Sequence, residues 1–300
     1  MNIRVSSEHF PFLEAFASET RVKIIEMLNE KPRNIKDMAA ELSLSSAMIT
    51  KHIQKLEEAG IVGTESLSGA RGRQKICRLI QDSVTLQFTS PVSTDRSGYS
   101  VSIPVGQYTR YQVNPTCGLA SESGLIGMMD DPRYFADPDH VMAKHLWFGT
   151  GYVEYSIPNY LVGDQAIKSL SMTLEICSEA PGYSEDWPSD ITFYINDTEL
   201  GTWTCPGDYG HAPGVFTPGW WTLGTQHGLL KTVMLRAEGT FLDGIRLSDI
   251  TAKQLNIKKG DEIRLRIECR QNSEHPGGIS LFGSGFGNYN QDIDIHVLYE

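Results

Sequence analysis

Between Ser45 and Lys55 the chain sets out Ser45, Ser46, Thr50, Lys51, His52, Gln54 and Lys55. These hydroxyl, amide, imidazole and cationic groups can reach phosphate oxygens and base edges in a DNA major groove. Such chemistry needs one rigid element to present it. Ile49, Ile53, Leu56 and the looser Ala59 recur at spacings of three or four, the period of a buried helical face, and leave Ser46, Thr50, Lys51, Gln54 and Lys55 on the opposite side. Ser45 or Ser46 can cap the first turn, and Gly60 stands where a left-handed C-terminal cap is expected.

A shorter helix precedes this one. Asn34 with Asp37 supplies a cap and a first-turn negative charge, while Ile35, Met38, Ala39 and Leu42 form its buried face. Downstream, residues 61–67 and 75–80 read as two strands around a glycine-broken turn, Ser68 to Arg73, whose Arg71 and Arg73 make its tip cationic, with Lys75 opening the second strand as a further candidate DNA contact. A basic tip of that kind straddles a phosphate backbone or enters the adjacent minor groove and releases counterions. The bland alternative for the two helices, an ordinary hairpin in some core, is weakened by this wing beside them.

The run FASETRVKIIEML from Phe16 to Leu28, followed by SSAMITKHIQKLEEAGIV and GARGRQKICRL, resembles the ArsR/SmtB winged-helix regulators. The likeness includes the Thr20, Arg21 pair, the Thr50, Lys51, His52 run and the basic wing. It implies a dimeric repressor whose recognition helices enter successive major grooves of a palindromic operator and which leaves DNA when an inducer binds. Two departures matter. Metal-sensing members carry a cysteine cluster on the helix before the recognition helix, yet Asn34 to Leu42 holds neither cysteine nor histidine, so no thiolate metal site is expected. After Leu79 the chain reads as extended and then loop-like where the family's last helix would stand. Dimer pairing would then fall to the first helix, around Phe10 to Ala17, or to the rest of the protein.

The 300 residues exceed one winged-helix domain and leave enough chain for a second core. The expected organisation is an α+β multidomain protein. A winged helix-turn-helix occupies residues 1–88, a small polar linker residues 89–98, and an all-β jelly-roll-like sandwich residues 99–300. No apolar run approaches a membrane span and the N-terminal residues lack the pattern of a secretion signal, so a cytoplasmic protein without membrane contact is expected. The net charge of −11 by itself disfavours nucleic acid. Its distribution reverses that inference: residues 1–88 hold 12 Lys and Arg against 11 Asp and Glu, leaving 14 against 26 beyond.

Five cysteines are scattered without a CxxC pair, which suits buried thiols better than disulfides, zinc or a redox switch. His140 and His145, five apart, make a poor metal clamp on a helix and are read as core or surface histidines. Beyond the linker the strands expected are residues 101–105, 109–113, 153–157, 169–177, 191–195, 232–236, 262–269 and 293–299, with Leu170, Met172, Leu174 and Ile176 buried and Ser171, Thr173 and Glu175 wet. A short helix is expected over Pro138 to His145, and one turn within Leu247 to Leu255.

Four of the five tryptophans fall between Ser178 and Thr222. A sugar presents an apolar C–H face and a hydroxyl rim, so its site combines an aromatic plane with carboxylate, amide or imidazole groups at the edge. Asp186, Trp187, Trp203, Asp208, Tyr209, His211, Trp220 and Trp221 supply these types. A glycine-rich loop from Asn272 to Asn290 adds Glu274, His275, Asn288 and Tyr289 as a second wall. Tryptophan is also a common core residue of β-sandwiches, so packing is the competing reading for each one. No phosphate-binding loop or EF-hand ladder is present and no cofactor is expected, although a structural cation in the sandwich stays open. Glu185, Asp186, Asp208 and Glu274 show no spacing that selects a glycosidase pair. The expectation is therefore a homodimeric, DNA-binding repressor, not an enzyme. Its partners are double-stranded operator DNA and a small polar effector, a sugar or oligosaccharide among the candidates. The alternatives are a sandwich that only dimerises or binds protein, and a fused carbohydrate-active enzyme.

Overall fold

The computed structural model describes residues 2–69, 72–81, 84–87, 97–222 and 224–300. Its contacts divide the chain into two compact units, residues 1–95 and 96–300.

The first unit contains α1 (Phe10–Ala15), α2 (Glu19–Glu30), α3 (Ile35–Glu41) and α4 (Ser46–Glu58). α4 starts where Ser45 Oγ accepts the Met48 amide at 3.2 Å, and ends at Gly60, whose φ of +68° lies where a side chain would be strained. Asn34 caps α3 by accepting the Asp37 amide at 2.8 Å. The fully buried Ile49, Ile53 and Leu56 join Ile24, Met38 and Cys77 in one core, each aliphatic side chain contributing about 1.5–3 kcal/mol by leaving water. The wing strands Val62–Gly69 and Gly72–Leu79 pair antiparallel, and Arg33–Asn34 adds a third strand beside the second. Between the wing and Ser97 the described residues form no helix. Thr85–Gln87 instead pairs in parallel with Asn2–Arg4. Residues 89–96 of the expected linker lie outside the described residues, and Gly98 already opens the strand Gly98–Ile103.

The second unit is an all-β sandwich whose thirteen described strands share one hydrogen-bonded network, antiparallel at every pairing. One layer runs Thr198–Cys205, Ser189–Ile195, Ile263–Cys269, His145–Ile157 and Arg110–Ala120. The other runs Gly98–Ile103, Ile293–Tyr299, Ile167–Cys177, Leu229–Arg236, Gly239–Leu242 and Ile245–Ser248. Ile279–Phe282 pairs with both His145–Ile157 and Ile167–Cys177 and stitches the layers together. All five cysteines are buried and free.

All eight expected strands are present, with four corrections around them. The expected helix over Pro138 to His145 is a 3-10 turn, Pro138–Met142, and His145 belongs to a strand. The tryptophan-rich stretch is not one loop: it contains the hairpin Ser189–Ile195 and Thr198–Cys205, turned by Asn196 and Asp197 at φ +48° and +66°. The loop from Asn272 to Asn290 hides the strand Ile279–Phe282, whose four residues are buried and whose two edges are both paired. Glu175, expected on the wet face, is fully buried, and its carboxylate accepts the amides of Gly228, Asn288 and Tyr289 at 2.8 Å each. Three backbone donors take the place of water there.

Candidate nucleic-acid interface and sandwich pocket

With Ile49, Ile53 and Leu56 turned inward, α4 leaves Ser46, Lys51, Gln54 and Lys55 exposed. Thr50 is half-buried and its hydroxyl donates to the Ser46 carbonyl at 2.7 Å, while Ser45 serves as the cap. The cations divide into two kinds. Lys55 pairs with Glu14 at 2.9 Å and Lys75 with Glu57 at 3.0 Å, whereas Lys51 has no salt bridge among the described residues. His52 is half-buried, and burial together with the Arg21 charge pushes its pKa down, so it is a neutral hydrogen-bonding group near pH 7. Arg73 sits on the second wing strand; Arg71 lies outside the described residues. Arg21, 8% exposed, fixes α1 against α2 by donating Nε to the Ala15 carbonyl and Nη2 to the Glu14 carbonyl, both at 2.7 Å.

In the sandwich the expected ligand residues separate. Asp186, Trp187, His211 and Glu274 are exposed, and Trp203 lies on the sheet with Lys231 4.8 Å above its ring. Tyr209 stacks on His227 at 5.5 Å, and His275 pairs with Asp190. The Asn288 amide binds Glu175, its side chain accepts the Val215 amide, and the neighbouring Tyr289 amide also binds Glu175. Trp220 donates to the Glu122 carbonyl at 2.7 Å. Trp221 alone of this set lines a cavity of about 210 Å³, beside Thr116, Asp130, His145, Trp147, Glu179 and Thr225.

Sequence reading missed that group, and its members come from five separate segments. Glu179 is the chemical centre: it accepts the hydroxyls of Ser280 at 2.8 Å and of Thr116 and Thr225 at 3.2 Å each. Burial, with the Asp208 charge adding to it, pushes the Glu179 pKa up to about 8. Asp208 is fully buried, takes the Ala180 amide at 2.9 Å, and is raised by burial to about 6. His145 is 1% exposed with neither ring nitrogen hydrogen-bonded, and burial pushes it down to about 3. A run of Glu179, Ala180, Pro181 and Gly182 after a strand was the one available signal, an acid at a strand end.

A winged helix-turn-helix head followed by an all-β sandwich is thus the class that the architecture defines. The head is an ArsR-family domain: residues 18–64 match the family model described as bacterial regulatory protein, arsR family. An uncharacterised HTH-type transcriptional regulator of Methanocaldococcus jannaschii is 40% identical over 62 residues, which are 20% of this chain and 65% of that protein. The chain therefore spans about 65% of the length of this curated relative. HlyU from Vibrio cholerae N16961 is similar over 24% of this chain and 75% of its own, at 25% identity and a TM-score of 0.22. CBM51 from Clostridium perfringens GH95, solved in complex with methyl-galactose, is similar over 66% of this chain and 99% of its own, at 9% identity and a TM-score of 0.26.

Proposed function

We propose that the protein is a DNA-binding transcription regulator, a homodimeric repressor of double-stranded operator DNA whose sandwich senses a small polar metabolite, and not an enzyme. The observation that carries the DNA reading is the outward row of α4, where Lys51, Gln54 and Ser46 stand exposed on a helix capped at both ends. Two such helices related by a two-fold axis reach half-sites about 34–36 Å apart, so a small change in their spacing upon effector binding misaligns one of them. The effector reading is supported by the cavity, which combines indole walls with buried polar groups as a site for a sugar would. No helix among the described residues is long and apolar enough to cross a membrane, in keeping with a regulator acting in the cytoplasm.

The test is fluorescence anisotropy of the full chain on DNA from its own upstream region, with and without a panel of sugars. Salt-dependent binding to a palindromic fragment, released by one sugar, is the expected outcome. Binding without sequence preference sinks the operator assignment. A thermal melt unmoved by every sugar favours a sandwich that serves only dimerisation or protein contact.

A further inference from the structure

Two buried carboxyls converge near one cavity without a cation to balance them. Glu179 lines it, Asp208 lies close enough to raise its pKa, and no Lys or Arg is among the lining residues. Asp208 Oδ1 is buried and unpartnered. The second sign of a ligand is independent of the acids. His145, 1% exposed, lines the same cavity with both Nδ1 and Nε2 unpartnered. Its ring packs flat on Phe282 at 4.4 Å and edge-on to Trp221 at 5.2 Å. An uncharged imidazole carries one lone-pair nitrogen and one N–H, and here neither has a protein partner.

The occupant should be positive, apolar on one side and small. Trp147 and Trp221, 5.3 Å apart and inclined at 63°, present aromatic surface of the kind that attracts organic cations. No group of three or more His, Cys, Asp or Glu placed to hold a metal ion occurs among the described residues, which favours an organic cation. A volume of about 210 Å³ has room for about one sugar ring.

We propose that this cavity takes a free-amine amino sugar, its ammonium between Glu179 and an unpartnered nitrogen of His145 and its ring against Trp221. The inference rests on the sugar-sensing reading and narrows it to one ligand class. It carries a protonic signature. Glu179, held mainly protonated near pH 7, returns to the carboxylate form beside a cation, so binding releases a proton. The titratable groups around it, Asp208, the cavity-lining Asp130, the thiols of Cys117 and Cys177, and neutral His145, include no cation that would oppose this change.

Isothermal titration of the full chain with glucosamine, galactosamine and mannosamine, beside glucose, galactose, mannose and the N-acetylated forms, tests the proposal. At least one free amine should bind tenfold or more tightly than its neutral counterparts. A net fraction of a proton, the release from Glu179 less the uptake by the unprotonated part of the amine, should leave at pH 7, read from buffers of different ionisation enthalpy. Glu179→Gln should lose both the preference and the proton. If that variant does not fold, His145→Phe, which keeps the ring stack, should lose tenfold or more in amine affinity while melting cooperatively. Equal affinity for hexose and hexosamine overturns the charge assignment and leaves sugar sensing standing. Amine binding that survives in both variants overturns the site. Silence toward every sugar, with DNA binding intact, overturns both readings.

Discussion

His145 lies on Phe282 with ring centroids 4.4 Å apart and planes 6° from parallel, and neither of its nitrogens has a hydrogen-bond partner. A buried polar group left unsatisfied costs about 1–3 kcal/mol. His145→Phe keeps the stack and removes the orphaned nitrogens. The variant should be more stable than the parent by about 1 kcal/mol in urea denaturation. A loss of stability would show that His145 is satisfied in solution.

The pH dependence of Glu179 has a definite sign. Its folded pKa, about 8, lies above the ordinary carboxyl value, so the stability it contributes is fully present below about pH 4 and is lost as pH rises through 8. Asp208, raised to about 6, acts in the same direction over a lower window. The melting temperature of Glu179→Gln relative to the parent should therefore increase from pH 5 to pH 9. A constant difference across that range contradicts the assignment.

On DNA, the lysines of the head should not be equivalent. Lys51→Ala should reduce the slope of log affinity against log salt by about 1, as loss of one phosphate contact does. Lys55→Ala and Lys75→Ala should reduce it less, because those ammonium groups already face Glu14 and Glu57. Equal effects from all three would remove the distinction.

Arg21→Lys should destabilise the head. One ammonium cannot reproduce the fork that donates to both the Ala15 and Glu14 carbonyls, and a hydrogen bond to a charged group is worth about 1.5–3 kcal/mol. Chemical denaturation followed by helix signal measures this, and an unchanged midpoint would show that the paired contact is dispensable.

Local chemistry explains which parts of the molecule are legible without coordinates. Ser45, Gly60 and the Ile49, Ile53, Leu56 stripe act within a few turns of one helix, so α4, its caps and its exposed face follow from spacing alone. Alternation placed the eight expected strands for the same reason. It misplaced Glu175 and overlooked Ile279–Phe282, because what covers a strand's second face is set by distant segments, here those carrying Gly228, Asn288 and Tyr289 over Glu175. Most of the tryptophan-rich residues went to the surface, to sheet faces or to loop anchoring once pairing decided their directions.

The sequence by itself determined the winged-helix head, the all-β character of the remainder and the absence of cysteine or histidine from α3, since helical and strand periods and residue identities are local properties. Only the tertiary structure decided which cations of α4 and the wing are already paired, and that Thr116, His145, Glu179, Trp221 and Thr225 share one cavity. Those residues meet because antiparallel pairing brings segments more than 100 positions apart into register, and their altered pKa values exist only once that packing has removed water.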